Sequence, residues 1–196
     1  MRTGGLLLAG GWSRRFGSEK AVAPVGEGLM MDIPLTALRE TCLAVAVSAR
    51  AGSGAEARAR ELILACLLDD PDDAEGPLAG IRRGLDWAAT HGFDWLAIAP
   101  CDAPTLDATQ YQRLAEAVSS GATAAIGEGE AGLEPLVSLW PVAAGQVAVA
   151  AALAERDHPA IRAVLAALGA VPVRLTGYDG LNVNAPADLI GRRPSW

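Results

Sequence analysis

An α/β fold, with a mainly parallel sheet covered by helices on both faces, is the class this sequence predicts. Three observations predict it. Short apolar runs alternate with helix-like stretches along the chain; the runs are continuously apolar, as strands buried on both faces are; and glycine, serine and carboxylate residues stand one after another just past their carboxyl ends. Alternation of strand and helix favours parallel pairing, because each crossover carries a helix back over the sheet.

Gly5-Leu6-Leu7-Leu8-Ala9 predicts a first strand over 5–9, and a helix follows over 34–40. Leu43-Ala44-Val45-Ala46-Val47 predicts a strand over 43–47, ahead of a helix over 55–64. Ala65-Cys66-Leu67-Leu68 predicts a strand over 65–68; Pro77 then stands near the start of a helix over 78–89, where a missing N–H costs nothing. Trp95-Leu96-Ala97-Ile98-Ala99 predicts a strand over 95–99, before a helix over 108–118. A strand over 123–126, two alanine-rich packing helices over 143–154 and 160–168, and a strand over 171–175 complete the series. Gly127-Glu128-Gly129-Glu130-Ala131-Gly132 reads as a flexible acidic hairpin or loop, and Trp87, Trp95 and Trp140 read as core or rim.

The 196 residues are 51% hydrophobic and 20% charged, enough for one sizeable core and short for two ordinary domains, so one domain over 1–196 is expected. A formal net charge of −7 argues against a nucleic-acid partner, whose surface needs dense Lys/Arg patches. Cys42, Cys66 and Cys101 are widely spaced, with no CxxC pair and no nearby histidine pattern, which implies reduced thiols and neither a zinc site nor a disulfide framework. No basic-then-apolar leader precedes the first strand, and no run approaches the roughly 20 apolar residues of a membrane span. A soluble cytoplasmic protein without a membrane partner is expected.

The first strand runs directly into Gly10-Gly11-Trp12-Ser13-Arg14-Arg15-Phe16-Gly17-Ser18-Glu19-Lys20. A backbone that wraps phosphate oxygens needs approach distances and conformations that a Cβ obstructs, which Gly10, Gly11 and Gly17 permit. Arg15 offers a planar fork and Lys20 a compact point charge, two complementary grips on a triphosphate. The spacing is neither a Walker A loop nor GxGxxG. In an α/β sheet, ligands bind outside the carboxyl ends of the strands, and there the sequence puts Gly10, Ser48, Asp69 with Asp70, and Asp102 in succession.

The loop resembles the LAGGxSxRMGxxK segment of the molybdenum cofactor guanylyltransferase family, within the nucleotidyltransferase superfamily. It matches at Leu8, Ala9, Gly10, Gly11, Ser13, Arg15, Gly17 and Lys20, with Phe16 in place of the usual Met. Gly76-Pro77-Leu78-Ala79-Gly80-Ile81 resembles the family's GPLAG segment, Pro100-Cys101-Asp102-Ala103-Pro104 its PCDxP segment, and Asn182-Val183-Asn184-Ala185-Pro186-Ala187-Asp188-Leu189 its NxNTPxDL segment. Gly10, where related cytidylyl and sugar-phosphate enzymes more often have alanine, leans towards the guanylyl branch. Departures are Ser48 where an Asn is usual, Ala185 for Thr, and Glu27-Gly28-Leu29 for GKPL.

The resemblance implies a three-layer α/β/α Rossmann-like nucleotidyltransferase fold and transfer of GMP from Mg-GTP to a molybdopterin-type cofactor, with release of pyrophosphate. It implies catalytic roles for Arg15, Lys20 and Asp102, and a nucleotide site of Leu8, Ala9, Gly10, Gly11, Lys20, Ser48, Asp69 or Asp70, Gly76, Pro77, Leu78 and Asp102. Mg²⁺ would be held by Asp102 with help from Asn184, and transient contact with cofactor-insertion or acceptor proteins follows from the product. Read from the residues alone, Asp102 is a metal ligand or the cap of the helix after Pro104, and Arg82 and Arg83 meet phosphate or solvent. Cytidylyl or another nucleotidyl transfer to a phosphorylated acceptor is the alternative chemistry. A paralogue that binds nucleotide without turnover is the alternative of a different class.

Overall fold

The computed structural model describes residues 1–11, 16–70, 76–155 and 160–178. Its first half runs β1 (Thr3–Leu8), a 3-10 turn (Lys20–Val22), β2 (Pro24–Val25), β3 (Gly28–Leu29), α1 (Asp32–Thr41), β4 (Ala44–Ala49), α2 (Gly54–Glu61) and β5 (Ala65–Leu68). The second half runs α3 (Pro77–Thr90), β6 (Trp95–Pro100), α4 (Ala108–Ser119), β7 (Ala124–Gly129), β8 (Gly132–Pro141), α5 (Val142–Ala154), α6 (Ile161–Ala167) and β9 (Ala170–Arg174). Among these residues a seven-stranded sheet has the order β5-β4-β1-β6-β8-β7-β9. The pairs β4–β5, β1–β4, β1–β6 and β7–β9 are parallel, and β8 is antiparallel to both β6 and β7.

Strand periodicity sends successive side chains to opposite faces, and each face has its own core. Leu7, Val45, Val47, Ala97 and Ala99 point to the layer of α1, α2 and α4, whereas Leu6, Ala46, Leu96 and Ile98 point to the layer of α3, α5 and α6. Side chains are buried on both faces, which is why these runs carry no polar alternation. Each fully buried Leu or Ile contributes roughly 1.5–3 kcal/mol relative to exposure. Helix α3 lies close on the sheet through its two glycines: a Cβ at Gly84 would stand 2.4 Å from Leu6, and one at Gly80 would stand 2.7 Å from Ser48 Oγ.

The expected mainly parallel sheet is present, with one strand that sequence reading left out. The stretch 127–132 is a hairpin: Gly129 pairs with Gly132, and β8 continues to Pro141, placing the fully buried Trp140 in the core. The β7–β8 register shifts between Ile126, opposite Ser138, and Gly127, opposite Glu134, so Pro135 falls in an irregularity. That is where a central strand tolerates a proline. Among the described residues no helix is long and apolar enough to cross a membrane.

Candidate active site

Because β1, β4, β5 and β6 run parallel, their carboxyl ends share one edge of the sheet, and backbone hydrogen bonds hold the segments that leave it in register. The Ala9 N–H donates to Ser48 O at 2.8 Å, Asp69 N–H to Ala49 O at 2.9 Å, and Cys101 N–H to Leu8 O at 3.2 Å. Two polar clusters are built on this edge.

The first cluster joins the glycine loop to β6. Lys20 Nζ donates to Asp102 Oδ2 at 2.6 Å, with the side chains 12% and 20% exposed, so the pair is shielded yet reachable from solvent. Asp102 is therefore not the cap of the following helix; Asp107 is, in a capping box with Gln110. Neighbouring contacts place Lys20. Gly17 takes φ +78°, a conformation few residues other than glycine adopt, and Phe16 packs with Ala23 and Met30 in a small separate core. The Glu19 carboxylate accepts from the N–H groups of Gly54 (2.7 Å) and Ala55 (2.9 Å), meeting the positive amino end of α2. Asp32, at the start of α1, accepts both arms of the Arg58 fork at 3.0 Å, tying α1 to α2.

The second cluster lies across β1, beyond β4. Ser48 Oγ donates to Asp69 Oδ1 at 3.1 Å, and Arg83 Nη1 on α3 stands 3.5 Å from the same oxygen. Asp69 Oδ2 lies over Gly10, where an added Cβ would meet it at 2.0 Å. Asp69 rather than Asp70 is thus brought to Gly10 and Ser48, while Asp70 is exposed. Of the paired arginines, Arg82 is exposed and Arg83 turns back to the edge.

Gly76 takes φ +122° as the residue before α3, with Pro77 at the helix start. Leu78 and Ala9 are buried, Leu8 is partly buried against the α3 layer, and Gly11 is exposed. Arg15 and Asn184 lie outside the described residues.

Sequence reading missed three groups at this edge: Glu19, the engagement of Asp69 by Arg83, and Glu134. Burial raises the Glu134 carboxyl above its ordinary value, and the charge of Asp102 adds to the rise. The missed strand brings it there, since β8 runs antiparallel beside β6 with Ile98 opposite Ser138. Burial first, and the Asp102 charge second, push the Cys101 thiol up to about 12. A cavity of about 350 Å³ opens at the opposite edge, among Arg39, Leu43, Ile63, Trp87 and His91. Its lining holds no carboxylate and no glycine loop, so the polar geometry and not this cavity marks the candidate site.

The donor chemistry fits a hard divalent cation brought in by a polyphosphate. Among the described residues no group of three or more potential ligands forms a closed cage. Mg²⁺ needs only one or two protein carboxylates, the remainder being water and phosphate oxygens, which the Asp102 carboxylate satisfies.

Comparison with known proteins agrees with this architecture. The family described as MobA-like NTP transferase domain matches residues 5–172. A molybdenum cofactor guanylyltransferase of Rhodobacter capsulatus is 36% identical over 96% of this chain and 94% of its own length, and one of Cereibacter sphaeroides is 35% identical over the same shares. The crystal structure of molybdopterin-guanine dinucleotide biosynthesis protein A from Archaeoglobus fulgidus superposes with a TM-score of 0.72 at 22% identity, covering 95% of this chain and 94% of that one. With a family match over residues 5–172 and relatives at 36% identity over most of its length, the chain belongs to the MobA-like NTP transferase family and is a nucleotidyltransferase.

Proposed function

We propose that the chain transfers GMP from Mg-GTP to the terminal phosphate of a molybdopterin-type cofactor. A phosphate oxygen of the acceptor attacks the α-phosphorus, the bond from that phosphorus to the bridging oxygen of the β-phosphate breaks, and pyrophosphate leaves with the bond's electron pair. The acceptor phosphate is already ionised at neutral pH, so no general base is required. The protein's task is to hold anions together and offset their repulsion.

The observation that carries this reading is the pairing of two clusters on one edge: Lys20 with Asp102 on one side of Gly10, and Ser48 with Asp69 on the other. Lys20 grips the triphosphate, joined by Arg15. The Asp69 carboxylate suits guanine, whose N1–H and exocyclic amine are both donors. Asp102, with Asn184, would hold Mg²⁺, which supplies charge neutralisation on the phosphates when bound. The names of the relatives support both the base and the acceptor. In this reading residues 1–196 act as one cytoplasmic domain, in transient contact with the proteins that insert or accept the product.

The test is pyrophosphate release from GTP, CTP, ATP and UTP in Mg²⁺, with and without the molybdopterin-type acceptor. GTP with acceptor is expected to turn over, and Lys20→Ala and Asp102→Asn are each expected to lose turnover by about a hundredfold or more while keeping the fold. Preference for CTP would overturn the base assignment. Unchanged turnover in both variants would overturn the mechanism.

A further inference from the structure

We infer that Arg83 is a positioning residue for base selection: its guanidinium, together with Ser48 Oγ, fixes the Asp69 carboxylate in the one orientation that presents Oδ2 over Gly10. The inference rests on the guanylyl reading above.

Both partners of Asp69 fall on the same oxygen. Ser48 donates to Oδ1 at 3.1 Å and Arg83 Nη1 stands 3.5 Å from it, which leaves Oδ2, against Gly10, facing the edge where β1 ends. An aspartate at a sheet edge, 29% exposed, otherwise turns about its two side-chain bonds and is met by water. Holding it beforehand removes that ordering cost from nucleotide binding.

The reach of Arg83 follows from packing. Gly80 and Gly84 bring α3 so close that a Cβ at either would strike Ser48 or Leu6. Arg83, one turn after Gly80 and only 17% exposed, therefore lies within reach of the end of β5. At 3.5 Å the pair is an ion-pair contact and not a hydrogen bond, so an effect on folding is not the expected signature. The signature is selectivity: guanine offers Asp69 a donor at N1, whereas adenine offers an acceptor there.

Titration of the intact protein with Mg-GTP and Mg-ATP tests this on wild type, Arg83→Gln, Asp69→Asn and the double variant. Arg83→Gln is expected to weaken GTP binding by about tenfold and ATP binding by less than about twofold, so the GTP/ATP preference falls. In the Asp69→Asn background the same change is expected to shift the preference by less than about twofold, because its effect runs through that carboxylate. Arg83→Met keeps the packed stem and carries the same expectation if the Gln variant folds poorly. A wild type that prefers GTP, with a preference unmoved by either substitution, overturns the role of Arg83 and leaves the guanylyl reading standing. A wild type with no preference for GTP overturns both.

Discussion

Replacing Gly10 by alanine tests the second cluster through geometry alone. The new Cβ would stand 2.0 Å from Asp69 Oδ2, 3.0 Å from its Cγ and 3.4 Å from Oδ1. Ordinary contact distances then require the carboxylate to retreat by about 1 Å or more. The 3.1 Å bond from Ser48 has no slack to follow, since a separation near ~3.6 Å is no longer a hydrogen bond. Losing a hydrogen bond to a charged group costs about 1.5–3 kcal/mol, so GTP affinity should fall by about ten- to a hundredfold. Folding should weaken by less. Gly10 does not occupy the left-handed region, so alanine there gains about 0.4–1 kcal/mol from the less mobile unfolded chain and offsets part of the loss. Isothermal titration with Mg-GTP, run beside thermal unfolding, separates the two effects. Gly11→Ala, whose Cβ has nothing within 4 Å among the described residues, is the stability control. A Gly10→Ala protein that binds GTP within about twofold of wild type would refute the placement of Asp69 against the base.

Three further outcomes follow from the same contacts. Glu19→Ala strips an acceptor from two N–H groups at the start of α2; a cost of about 1–2 kcal/mol corresponds to a fall in Tm of about 2–8 °C, and an unchanged Tm would show that α2 is held by its N-cap Ser53 alone, whose Oγ accepts from the Glu56 N–H at 3.2 Å. The Cys42 and Cys101 thiols, pushed up to about 11 and about 12 chiefly by burial, should react with an aromatic disulfide at pH 8 at least about a hundredfold more slowly in the folded than in the urea-unfolded protein; equal rates would contradict their burial. Glu134 titrates with its folded value raised above the ordinary 4.5, so the folded state holds that proton more tightly than the unfolded chain does. Its contribution to stability is fully present below the unfolded value and is lost as pH rises through the folded one. Urea unfolding of Glu134→Gln against wild type, from pH 4 upward, should show the variant gaining relative stability as pH rises, and a constant difference would contradict the raised value.

How legible the molecule is from its sequence depended on the range of each interaction. β1, β4 and β6 announce themselves because burial on both faces leaves runs such as Trp95-Leu96-Ala97-Ile98-Ala99 with nothing polar in them. β8 does not, because Pro135 interrupts its pattern and the register shift that accommodates the proline is a property of the paired strands. The same holds at the site. Gly10, Ser48, Asp69 and Asp102 are readable because each ends or follows a strand, and parallel strands bring those ends together. Which aspartate Ser48 meets, and whether Asp102 caps α4, are matters of side-chain reach: Ser48 meets Asp69, and Asp107 caps α4. Glu19 and Arg83 were unreadable in their roles for a related reason. Glu19 meets N–H groups 35 and 36 residues away, and Arg83 depends on how closely two glycines let α3 approach the sheet.

A crystal grown with GTP and Mn²⁺ in place of Mg²⁺ puts the whole account to one measurement. Guanine should lie over Gly10 within hydrogen-bond distance of Asp69, with the triphosphate on Lys20 and an anomalous peak beside Asp102. Nucleotide seated instead in the cleft of Arg39, Trp87 and His91, or guanine turned away from Asp69, would contradict it.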